Sequence, residues 1–137
     1  MSAPVIDTQR LWSDLMTLGA IGALPRGGCD RLALTDSDRD GRAVFAHWCQ
    51  EAGLALTVDA MGNMFARGEG RDATLPPVLA GSHLDTQSPG GRFDGPLGVL
   101  GALAAVRAID AAGNRAAAAD RGGELDQRGR AHASRRA

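Results

Sequence analysis

No uninterrupted apolar run in these 137 residues approaches the roughly 20 needed to cross a bilayer. The N-terminus also lacks the order of basic, apolar and small residues that marks a signal peptide. A cytoplasmic location and no membrane partner are the expectations that follow. Charge of either sign is not in excess: the formal net charge is -1, which gives no reason to expect a nucleic-acid or anionic-membrane partner. Cysteine is scarce. Cys29 and Cys49 lie in unlike contexts without CxxC spacing and read as packed thiols rather than a redox or metal pair. What is present is 44% hydrophobic sequence, enough for one ordinary domain and too little for two large ones.

Asp7 or Thr8 can cap a first helix in which Leu11, Leu15 and Leu18 recur at helical spacing, with Trp12 beside the stripe. Residues 24–34 carry Pro25, Gly27 and Gly28 and read as a loop. Thr35, Asp36 and Asp38 offer caps for a second helix that runs toward Gly53, a residue suited to a left-handed helix end. Val44, Phe45 and Trp48 would face a core, and His47 reads as a surface residue. Residues 54–58 favour a strand, Met61, Gly62 and Asn63 supply turn chemistry, and residues 64–66 return as a second strand. Residues 68–74 read as a surface loop. Beyond Pro76 and Pro77, residues 78–80 form an apolar run without polar alternation, the pattern of a strand buried on both faces of a parallel sheet. Residues 96–109 are small or aliphatic almost all round, which predicts a helix buried against that sheet. The expected fold class is α/β, with a mostly parallel sheet flanked by helices.

The chemistry-bearing stretch follows the third strand: Gly81-Ser82-His83-Leu84-Asp85-Thr86, then Gly90-Gly91-Arg92-Phe93-Asp94-Gly95. Ligand sites in open α/β sheets gather at the carboxyl ends of strands. His83 and Asp85 are two apart, which in extended backbone puts both on one side, where the carboxylate can orient the imidazole and raise its basicity toward a metal. Asp94 returns after a glycine-rich bend, and its two oxygens can bridge a pair of divalent ions. Each residue has a blander reading. Asp94 before Gly95-Pro96 would serve as a helix N-cap, His83 as a satisfied strand-end histidine, and Asp85 as a turn residue.

GSHLDTQSPGGRFDGPLGVLGAL resembles the metal-site segment of the N-carbamoyl-L-amino-acid hydrolase and allantoate amidohydrolase group (hydantoinase/carbamoylase-type amidases) within the dinuclear zinc aminoacylase and peptidase superfamily. The resemblance extends upstream through IGALPRGGCDRLALTDSDRDGR, WCQEAGLALTVDAMGNMFAR and LPPVLAGSHLDT, covering roughly residues 6–112. It implies the N-terminal part of a zinc-peptidase-like catalytic domain that uses two divalent ions (Zn, Mn, Co or Ni). By that resemblance His83 ligates one metal, Asp85 orients it in a catalytic role, and Asp94 bridges both metals. The implied enzyme is a hydrolase of carbon–nitrogen bonds other than peptide bonds, acting on a small N-carbamoyl or ureido substrate and pairing as a homodimer. Gln87 resembles the carbamoylases more than the allantoate enzymes.

The resemblance breaks near Gly113. The family's next landmark is a strand ending in a motif like VVNWTNEE, whose first glutamate is the general base and whose second is a metal ligand, and the sequence lacks it. Residues 113–137 instead read as an aberrant tail, disordered or a frayed helix. Back-translated with suitable synonymous codons and shifted by one nucleotide, residues 118–128 spell RPIEVVNWTNE, so the expectation is a frameshift that puts Arg128 where the base glutamate would stand. On that reading residues 1–112 are a partial catalytic domain and the chain is inactive by itself. Two readings from other classes stand beside it. One is a non-catalytic fragment acting as an interaction module with an intact homologue. The other is nucleic-acid binding by the Arg-rich tail, which Asp120, Glu124 and Asp126 interrupt and no stacking aromatic supports.

Overall fold

A computed structural model describes residues 2–70, 72, 74–113, 121–124 and 130–135. Helix α1 (Thr8–Ala20) begins at Asp7, whose side chain accepts a hydrogen bond from the Arg10 amide at 2.9 Å. Such a cap satisfies one of the amides that the first helical turn leaves without a partner. Helix α2 (Asp36–Glu51) is capped in the same way by Thr35, which accepts from the Asp38 amide, with Asp36 and Asp38 in the first turn where the helix dipole favours negative charge. It gives way at Ala52 to Gly53, whose φ of 70° is the left-handed conformation expected of that glycine.

Strands β1 (Ala55–Val58) and β2 (Met64–Arg67) form an antiparallel hairpin, with Leu56 opposite Ala66. Asp59 ties its turn by accepting from the amides of Met61 and Asn63. Along β2 alternate residues Met64 and Ala66 are buried, the period of a strand with one face on a core. Strand β3 (Val78–His83) leads through the site segment to helix α3 (Pro96–Ala111). Leu15 and Leu18 of α1, Phe45 and Trp48 of α2, Leu54 and Met64 of the hairpin, and Val99, Leu100, Leu103 and Val106 of α3 close into one apolar cluster. Burying each large aliphatic side chain contributes about 1.5–3 kcal/mol before chain entropy is counted. Val44 is only half-buried and packs at the cluster's edge, and Trp12 is exposed rather than inside. His47 lies on the surface, 3.5 Å from Glu51, and both cysteines are buried free thiols.

The sheet corrects the parallel expectation. Strands β4 (Arg121–Glu124) and β5 (Arg130–Arg135) join β3 in the order β3-β5-β4, and every pairing among the described residues is antiparallel. The physical reason lies in the order of neighbours. The crossover through α3 does deliver β4 in the direction of β3, since both run opposite to β5, but β5 occupies the slot between them. Nor is β3 buried on both faces: Val78 and Leu79 are 42% and 52% exposed. Helix α3 covers only the strand's second half, where Gly98 packs so closely on Ser82 that an added Cβ would lie 2.7 Å from the Ser82 Cβ. On α3 itself Leu97 is 52% exposed, so its apolar surface is not covered all round. The segment read as a disordered tail thus holds strands at 121–124 and 130–135, while the rest of it, including Arg128 and Gly129 of the frameshift reading, lies outside the described residues.

Candidate functional site

His83 is the last residue of β3, and the chain leaves the strand through Leu84, which is 1% exposed and anchors the turn in the core. Asp85 and Thr86 follow. The backbone of Thr86 is stitched to the loop after α1: its amide donates to the Arg31 carbonyl at 2.8 Å, and its hydroxyl accepts from the Arg31 amide at 2.8 Å. The Arg31 guanidinium, wholly buried, donates through Nε to the Leu84 carbonyl at 3.0 Å and through Nη1 to the carbonyls of Leu18 and Ile21, each at 2.8 Å.

His83 and Asp85 meet as the two-residue spacing predicts. His83 Nδ1 lies 3.1 Å from Asp85 Oδ1 and 2.9 Å from the Asp85 backbone oxygen, and the hydrogen-bond geometry is satisfied at the backbone oxygen. With Nδ1 engaged as donor, Nε2 is the nitrogen free to accept a proton or meet a cation. Asp85 Oδ1 is itself buried and accepts no hydrogen bond. Burial pushes the Asp85 carboxyl above its ordinary pKa; the neighbouring His83 pulls it down in part, and the negative charge of Asp38 pushes it up again. Asp38 is 5% exposed, accepts from the Leu34 amide with Oδ2, and leaves its buried Oδ1 without a partner.

The glycine-rich bend is held to the same loop. Cys29 and Gly90 exchange a reciprocal pair of backbone hydrogen bonds, each 2.9 Å, and Arg92 donates through Nε to the Gly27 carbonyl at 3.0 Å. Phe93 stacks at a tilt on Trp12, ring centroids 5.8 Å apart. Helix α3 takes Gly95 as its N-cap, at φ 87° and with no side-chain cap hydrogen bond, so Asp94 does not play the capping role open to it in the sequence. Asp94 is exposed on the bend.

His83 and Asp85 are therefore brought together, and Asp94 stands one residue from Gly95, which abuts the His83 ring. No cluster of three or more His, Cys, Asp or Glu side chains able to hold a metal ion forms among the described residues. With Nδ1 held on the Asp85 side, His83 has Nε2 left to meet a divalent ion, which fits one corner of a metal site, and the remaining donors of a four-coordinate shell are not supplied by these residues. Arg31 was not legible as a site residue. In sequence it is one arginine in a loop, and its burial and its reach to Leu84 are products of tertiary packing.

The chain is thus an α/β segment whose chemistry-bearing residues gather where β3 meets α3. No protein-family model matches it. It is 50% identical over 105 residues to an N-carbamoyl-L-amino-acid amidohydrolase of Rhizobium meliloti, a match covering 77% of this chain and 25% of the relative. A ureidoglycolate hydrolase of Arabidopsis thaliana is 32% identical over 108 residues, covering 79% of this chain and 23% of the relative. Among solved structures, a hydantoinase/carbamoylase family amidase of Burkholderia ambifaria superposes with a TM-score of 0.79 at 57% identity, covering 82% of this chain and 28% of that one. Over the matched stretch the chain belongs to the hydantoinase/carbamoylase family of amidases. It spans about a quarter of the length of the curated relatives it matches.

Proposed function

We propose that this chain carries one metal-ligand corner of a hydrolase that cleaves carbon–nitrogen bonds in N-carbamoyl-L-amino acids or related ureido or linear amide compounds. The observation that carries the reading is the His83–Asp85 pair at the end of β3, with Nδ1 engaged by Asp85. The names of the matched relatives from Rhizobium meliloti and Arabidopsis thaliana support the substrate class.

In this reading His83 offers Nε2 to a divalent ion, Asp94 offers its carboxylate to the same centre, and Asp85 holds the imidazole in the tautomer that leaves Nε2 unprotonated. A bound divalent ion supplies Lewis acidity and lowers the pKa of a coordinated water. Asp85 sits where it can also stabilise positive charge on His83. A general base contributes typically about 10²–10⁴ in rate, and the sequence lacks the glutamate pair that the resembled family carries after its next strand. The chain alone is accordingly inactive, and the activity belongs to a product that continues in the shifted frame with the missing glutamates. Pairing into a homodimer is part of the same proposal.

The test is hydrolysis of N-carbamoyl-L-amino acids in the presence of Zn, Mn, Co or Ni by two purified products: the 137-residue chain and its counterpart continued in the displaced frame. Turnover by the second and negligible turnover by the first is the expected result. Absence of activity in the shifted-frame product on every N-carbamoyl, ureido and amide compound tried would overturn the reading.

A further inference from the structure

We propose that Arg31 is a positioning residue for His83: its buried guanidinium braces the turn at 84–86 and thereby favours the His83 tautomer that carries its proton on Nδ1. The inference rests on the ligand role proposed for His83 and adds the residue that makes the ring competent for it.

Arg31 is 0% exposed. Burying a guanidinium is costly unless its donors are met; here Nε is met by the Leu84 carbonyl and Nη1 by the carbonyls of Leu18 and Ile21 and the Cys29 sulfur at 3.3 Å, while the buried Nη2 has no partner among the described residues. These acceptors belong to different parts of the chain, the end of α1 and the exit of β3. The planar fork of arginine reaches them from one fixed group, which the single ammonium of lysine does not. Space for the stem is reserved on α2, where a Cβ on Gly41 would lie 2.8 Å from Arg31 Cδ.

The consequence for His83 runs through the backbone. Arg31 holds the residues on either side of Asp85: Leu84 through the Nε bond to its carbonyl, and Thr86 through the reciprocal bonds of the Arg31 amide and carbonyl. Between these two fixed points lies the Asp85 carbonyl, the oxygen that His83 Nδ1 meets at 2.9 Å. Removing the guanidinium frees the Leu84 carbonyl, so the turn that carries both Asp85 acceptors is held only at its Thr86 end, by main-chain bonds that the substitution keeps. With both Asp85 oxygens near Nδ1 less firmly placed, the preference for a proton on Nδ1 weakens, and the ring relaxes toward the tautomer with the proton on Nε2, which cannot ligate through that atom. A role confined to tying α1 to β3 would lower stability and leave the tautomer alone.

The test is long-range proton–nitrogen NMR on the whole 137-residue chain labelled in histidine, at mildly alkaline pH. The His83 signals are identified by their loss in His83→Ala, and exposed His47 serves as the internal reference. In the wild type the neutral His83 ring carries its proton on Nδ1. In Arg31→Met at least half of the population moves to the Nε2–H form, and Arg31→Lys shows a smaller shift in the same direction. Titration with Zn²⁺ alone, read at the same His83 signals, shows roughly tenfold weaker binding in Arg31→Met, the lower end of effects on groups that orient ligands. A folded Arg31→Met chain with the wild-type tautomer overturns the proposal, as does a wild-type ring protonated on Nε2. If Arg31→Met does not fold, an unchanged tautomer in Arg31→Lys overturns it. Failure of Zn²⁺ to move the wild-type His83 signals defeats the ligand role of His83 instead, while the tautomer comparison still decides Arg31.

Discussion

Gly95 stands against His83 with no room for a β-carbon between them: a Cβ there would fall on the imidazole Nδ1 and Cε1 and on the His83 carbonyl oxygen. Its φ of 87° is strained for any side chain as well. Gly95→Ala therefore displaces either the ring or the start of α3 and is expected to destabilise the chain by about 2–4 kcal/mol, combining backbone strain with overpacking. Denaturant unfolding of the variant checks this; a loss below about 0.5 kcal/mol, the scale of a neutral surface change, would mean the close approach is not present in solution.

Asp85 is held in a setting that favours its neutral form, with burial as the main cause. The folded chain thus binds the Asp85 proton more tightly than the unfolded chain does. This contribution to stability is fully present below the unfolded value near 3.8 and is lost as pH rises through the raised folded value. Asp85→Asn, which removes the ionisation, should be more stable than wild type at neutral pH and should lose that advantage in acid. Unfolding free energies of both chains across the acidic-to-neutral range give the comparison, and a variant less stable than wild type at neutral pH would contradict it.

Asp14 joins the first and last described helices. It lies 2.6 Å from Arg107 of α3 and 3.3 Å from Arg10 of its own helix, and its side chain is 7% exposed. Asp14→Ala leaves the 20%-exposed Arg107 side chain without its carboxylate and is expected to cost about 2–3 kcal/mol, somewhat less than for a fully buried pair. A double-mutant cycle with Arg107→Ala measures the coupling; additive losses would show that the pair contributes nothing.

Cys49 is wholly enclosed, and burial pushes its thiol up to about 12, offset only slightly by Arg107. The thiolate is the reactive species, so native Cys49 should resist alkylating reagents at neutral pH and react only on unfolding. Mass-spectrometric labelling with and without denaturant reads this directly, and stoichiometric native labelling at Cys49 would refute it.

Thr35 caps α2 far from the His83 turn in sequence, and Thr35→Ala is expected to cost about 1 kcal/mol. No change in the midpoint of unfolding would show that the cap is replaced by solvent at no loss.

The elements that the sequence announced are those with local causes. Asp7 and Thr35 cap the first two helices as their residue types suggest, Gly53 ends α2, and the turn at 61–63 joins β1 to β2. Pro96 begins α3 because Gly95 supplies the positive φ before it. The site was half legible for the same reason: His83 and Asp85 are neighbours in sequence, and their contact follows from an extended backbone. What was hidden depends on distant partners. The antiparallel pairing of β3 with β5, the Cys29–Gly90 bridge and the buried Arg31 each join residues more than forty positions apart, and no local pattern encodes such a meeting. Capping by Asp94, open in the sequence, is replaced by Gly95 because the helix must start flush against the His83 ring.

The reciprocal bonds between Cys29 and Gly90 are made by main-chain amides and carbonyls alone. The joint itself needs no side-chain chemistry, although Gly90 has no room for a β-carbon, which would lie 2.8 Å from the Gln87 carbonyl oxygen. The neighbouring loop positions, such as Arg26 and Gln87, are exposed. They are therefore free to drift while the spacing between the Cys29 loop and the Gly90 bend stays the same. The fold separates the positions open to variation from the main-chain joint that keeps register, and variation in the first leaves the second intact.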